Sequence, residues 1–118
     1  MKVYRIENSS GLGPYQGSDD YREAWANSNH NHQENTPKPS LEGIPFSYEL
    51  FFGFRDKQQI KGWFTPEELI KISKLGFTLN LYEAHISNTH STKTQVAFRV
   101  KLATKLETLD IIEFINND

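Results

Sequence analysis

Residues 56–76 read Asp56-Lys-Gln-Gln-Ile60-Lys-Gly-Trp63-Phe64-Thr65-Pro66-Glu67-Glu68-Leu69-Ile-Lys-Ile72-Ser-Lys74-Leu75-Gly76, and this stretch decides the fold class. Asp56 has the short acceptor side chain of a helix cap, and Ile60, Trp63 and Phe64 follow at i, i+3 and i+4 spacing, which stacks them on one helical face. Thr65-Pro66-Glu67-Glu68 then joins a capping box to a proline at the first helical position, so a second helix opens at once. Leu69, Ile72 and Leu75 line its expected buried side. Lys74 supplies a positive last turn and Gly76 the stop. Two short helices, each with one apolar face, need a surface to cover.

The flanking residues supply strands. Phe77 to Ile86 alternates Phe77, Leu79 and Leu81 against Thr78, Asn80 and Tyr82, the period of a strand with one buried face. Its expected partner is Gln95 to Leu102, across a polar tip from Ser87 to Thr94, forming an antiparallel hairpin. From Thr104 to Ile115, Leu106, Leu109 and Ile112 recur every third residue, which predicts a closing helix. On the amino-terminal side, Phe46 to Phe54 is a dense aromatic run that reads as a strand ending at Gly53. Lys2 to Glu7 alternates as a further strand, stopped by the turn-rich Asn8 to Gly17. Ser18 or Asp19 can cap a short helix through Tyr21, Ala24 and Trp25.

The expected fold is therefore α+β: a small antiparallel sheet of three to four strands packed with three to four short helices. Residues 27–45 form one long polar loop, with prolines at 37, 39 and 45. The 118 residues suit a single domain, large enough to bury roughly two-thirds of the surface of the unfolded chain. Hydrophobic residues are only 36% of the chain but aromatics reach 13%, so a few large side chains must build the core. Tyr48, Phe52, Phe54, Ile60, Trp63, Phe64, Leu69, Ile72 and Phe77 are its expected centre.

Composition also removes whole classes of function. The chain has no cysteine, which excludes disulfides, thiolate metal sites and cysteine nucleophiles. No apolar run approaches the ~20 residues of a membrane span, and the amino terminus has no signal-peptide core, so the expected location is the cytosol. Net charge is −2 with both signs mixed along the chain, so no basic stripe signals nucleic acid.

Three motifs bear on chemistry. His30 and His32 could offer two imidazoles to a metal, with a third from the hairpin tip, but all four histidines, with His85 and His90, lie in or beside loops among asparagine and glutamine and read first as solvated side chains. Gly11-Leu12-Gly13-Pro14 follows a strand as phosphate-cradling loops do, yet it has neither dinucleotide nor Walker spacing and Pro14 removes a donor, so it reads as a tight turn. Arg5, Ser91-Thr92 and Glu113 occur in the order used by arginine–serine–glutamate ADP-ribosyltransferases, where the arginine holds nicotinamide dinucleotide phosphates and the glutamate orients the ribose. That family places these groups on strands, whereas Ser91-Thr92 falls here in a hairpin tip and Glu113 in a helix.

Tyr4-Arg5-Ile6-Glu7, Gly11-x-Gly13-Pro14-Tyr15, the histidine-and-proline loop, Phe52-Gly53-Phe54, Trp63-Phe64 and Leu75-Gly76-Phe77 followed by Tyr82 together resemble a class of small bacteriophage and prophage accessory proteins. The resemblance spans residues 4–82. It implies a phage gene product from a category rich in proteins that bind and block host machinery, and it implies no catalytic residue; no cofactor is expected. The leading expectation is stoichiometric binding to a protein complex of the host or the phage, including inhibition of a host defence system. Tyr15, Arg22 and Trp25 are the expected contacts. The alternative is an ADP-ribosyltransferase-like enzyme using Arg5 and Glu113.

Overall fold

The computed structural model describes residues 1–15 and 50–117. Lys2–Glu7 forms strand β1 and Leu50–Gly53 strand β2. Helices α1 (Lys57–Trp63) and α2 (Pro66–Lys74) follow, then strand β3 (Thr78–Glu83). Strands β4 (Thr89–Ser91), β5 (Val96–Arg99) and β6 (Thr104–Leu109) precede helix α3 (Ile111–Asn116). The class is α+β, and the strands divide into two antiparallel sheets of three, ordered β1-β3-β6 and β2-β5-β4. The expected helix at 18–25 and polar loop at 27–45 lie outside the described residues.

The capping signals of the central stretch are realised, but Leu75, expected on the buried side of α2, is exposed, because it stands at the cap after the last helical turn. The Asp56 side chain accepts from the Gln59 amide and starts α1. Thr65 and Glu68 close a reciprocal capping box on α2. Gly76 takes a φ of +96°, which a side chain would oppose, and the helix ends there.

The first sheet is the middle of three layers. Its Ile6 and Leu79 meet Ile60, Trp63, Phe64, Leu69, Ile72 and Ile111 of the helices, together with Phe54 and Phe77. On its other face Val3 and Tyr82 meet Val96 and Phe98 of the second sheet. Alternation along β1 divides the strand accordingly, with Tyr4 and Ile6 toward the helices and Val3, Arg5 and Glu7 toward the second sheet.

The two sheets are stitched where β2 runs past β1. Tyr4 and Phe54 exchange both backbone hydrogen bonds at 2.7 Å. Gly53 makes this approach possible, because a Cβ there would stand 2.6 Å from the Tyr4 carbonyl oxygen and 2.7 Å from Val3 Cγ1.

Three expectations are corrected. β3 does not pair with β5, because its two edges are taken by β1 and β6. The chain instead leaves the first sheet through the short 3-10 turn Ile86–Asn88, and β4, drawn from the supposed tip, forms the hairpin with β5. Residues 104–109 are strand, not helix. The open edge of β3 needs backbone partners, which outweighs a three-residue apolar spacing, and the helix begins only where the Asp110 side chain accepts from the Glu113 amide at 2.9 Å. Between Leu81 and Tyr82 the register of β6 slips by one residue, leaving Leu106 as a bulge on this edge strand. Finally, Phe52 is exposed at 39%: it pairs with Ala97 on the outward face of the second sheet, while its neighbour Phe51 packs inward.

Candidate functional site

The main polar constellation among the described residues is built on two strand alternations that face one another. Arg5 and Glu7 sit two apart on β1, Asn80 and Tyr82 two apart on β3, and the register pairs Arg5 with Asn80. On an uncovered sheet such positions would be wet. Here the second sheet covers them, and Arg5 and Glu7 are each only 3% exposed.

Burial forces these groups to satisfy one another. The Glu7 carboxylate accepts from Arg5 Nε at 2.9 Å and, on its other oxygen, from the Asn80 amide and the Tyr82 hydroxyl. Arg5 spends its other nitrogens on backbone carbonyls, NH1 on Phe52 at 2.8 Å and NH2 on Gly11 at 3.0 Å, with its guanidinium carbon 4.7 Å from the centre of the Phe51 ring. One side chain thus ties β1 to β2 and to the loop after β1. Lys105 of β6 lies over Tyr82, with Nζ 3.7 Å from Glu7.

The protonation states follow from the same contacts. Burial pushes the Glu7 carboxyl up, but hydrogen bonds from Tyr82, Asn80 and Arg5, with the Arg5 charge, outweigh it and hold Glu7 below the ordinary carboxylate value. Burial pulls Arg5 below its usual value, opposed by its hydrogen bond to Glu7 and by that carboxylate's charge. Tyr82 is raised by burial first and then by donating to the Glu7 anion, so the phenol keeps its proton. The arrangement is an ion pair held inside the fold, with its donors and acceptors directed at the protein.

Arg5 was singled out in the sequence together with Glu113, and the two face different layers. Arg5 points toward the second sheet; Glu113 is exposed in the first turn of α3, which packs on the helical face of the first sheet. Ser91 ends β4, and Thr92 turns the hairpin, its hydroxyl donating to the Gln95 carbonyl at 3.0 Å. The role of Glu7 escaped the sequence reading. Its signal was the pair of polar i, i+2 positions on each of two strands.

Tyr15 lies elsewhere, at the end of the turn after β1. Asn8 Oδ1 accepts from the Ser10 and Leu12 amides at 2.9 and 3.0 Å, and Gly11 turns with a φ of +79°. The loop is the tight turn read from the sequence, and its Gly11 carbonyl accepts from Arg5. The turn lays the Tyr15 ring edge-on to Trp63 at 5.5 Å and stacked on Phe64 at 5.9 Å, while 38% of Tyr15 stays exposed. Arg22, Trp25, His30 and His32 lie outside the described residues. His85 and His90 are exposed, His85 capping the 3-10 turn after β3, and no three potential metal ligands cluster among the described residues. No helix among them is long and apolar enough to cross a membrane.

The β1 polar pair, the glycine turn, Gly53 and the paired helices all fall inside one family profile, that of the bacteriophage T4 Y00F protein, which matches residues 1–112. The chain belongs to the Y00F family. No curated protein and no solved structure matches it significantly. The Y00F match reaches beyond the 4–82 span of the sequence resemblance and takes in β4, β5, β6 and the start of α3. It makes the protein a phage accessory protein.

Proposed function

We propose that this phage accessory protein acts by stoichiometric binding to a protein of the host or of the phage, and that inhibition of a host defence system is one form of that binding. The observation that carries the reading is Tyr15. Its ring is braced by Trp63 and Phe64 and yet is more than a third exposed, so it can bury aromatic area on a partner with little further loss of side-chain freedom. Arg22 and Trp25, close behind it in sequence, complete the proposed contact set. Membership of a phage family supports the setting. No observation favours the nicotinamide dinucleotide alternative.

The test is affinity purification of the tagged protein from infected cells, beside a Tyr15→Ala variant whose fold is checked by thermal melting. A single protein recovered at stoichiometric yield by the parent and lost by the folded variant is expected. Recovery of no stoichiometric partner, or of the same partner at the same yield with Tyr15→Ala, overturns the proposal.

A further inference from the structure

We draw no further inference here: the strongest candidate, the outward face of the β2-β5-β4 sheet, where exposed Phe52 and His90 flank buried Ala97 in one cross-strand row, carries nothing because no observation in the structure shows what covers it.

Discussion

Gln59 and Trp63 stand one turn apart on α1, and together their side chains donate to three successive carbonyls of the β4–β5 turn. Gln59 Nε2 reaches Thr92 at 3.0 Å and Lys93 at 3.1 Å, and Trp63 Nε1 reaches Thr94 at 2.9 Å. A helix of one layer thereby holds the hairpin of another, while the Trp63 ring packs against Phe54 and Tyr15. Trp63→Ala removes both functions and should cost roughly 3–5 kcal/mol in urea denaturation. Trp63→Phe keeps much of the ring and removes only the hydrogen bond to the Thr94 carbonyl, for a smaller loss of about 0.5–1.5 kcal/mol. Equal stability of Trp63→Ala and the parent would mean that the aromatic cluster is not core.

Two glycines should respond to alanine with opposite signs. At Gly53 the new methyl meets the Tyr4 carbonyl oxygen at 2.6 Å, and a backbone oxygen cannot rotate away. The bridge between the sheets must open, at roughly 1–3 kcal/mol as for an overpacked core. At Gly62, in α1, nothing lies within 4 Å of the added methyl. There alanine restrains the unfolded chain and should stabilise by about 0.5–1 kcal/mol. Thermal melts of the two variants with the same sign of shift would contradict this account.

The sequence was legible where a few adjacent residues decide the outcome. Asp56, the Thr65–Glu68 box, Gly76 and the alternation of Lys2 to Glu7 each act through their own neighbours, and each appears in the fold as read. What failed depended on partners distant in the chain. Phe77 to Ile86 carries a strand pattern but no record of which strand lies beside it, and Thr104 to Leu109 became an edge strand because β3 offered an open ladder. The same limit hid the polar cluster. Arg5 was visible as a charge on β1, but only the second sheet, placed over it by the Tyr4–Phe54 bridge, turns Arg5 and Glu7 into a buried pair.

The capping box gives a local test with little tertiary interference. Thr65 Oγ1 accepts from the Glu68 amide at 3.2 Å, and Glu68 Oε1 returns the contact to the Thr65 amide at 2.9 Å. Thr65 itself is exposed, so Thr65→Ala removes the cap and very little packing. A loss of about 1 kcal/mol is expected, and Thr65→Ser should restore most of it. If serine failed to rescue, the threonine methyl rather than the hydroxyl would be the stabilising group.

Glu7 should set the acid limit of the fold. Its folded carboxyl lies below the ordinary value of 4.5, so its contribution to stability is fully present above that value and is lost as pH falls through the folded one. The parent should therefore lose melting temperature more steeply below about pH 4.5 than a Glu7→Gln variant, in which this titration is gone. At neutral pH Glu7→Gln breaks the buried Arg5–Glu7 ion pair, a loss on the order of 3–5 kcal/mol. Adding Arg5→Met to Glu7→Gln removes both members of the pair, so the double variant should be more stable than the sum of the two single losses predicts. Urea denaturation at pH 7 of the parent, both single variants and the double variant measures that coupling. Additive losses, together with equal acid slopes for the parent and Glu7→Gln, would show that the Arg5–Glu7 pair does not stabilise the fold.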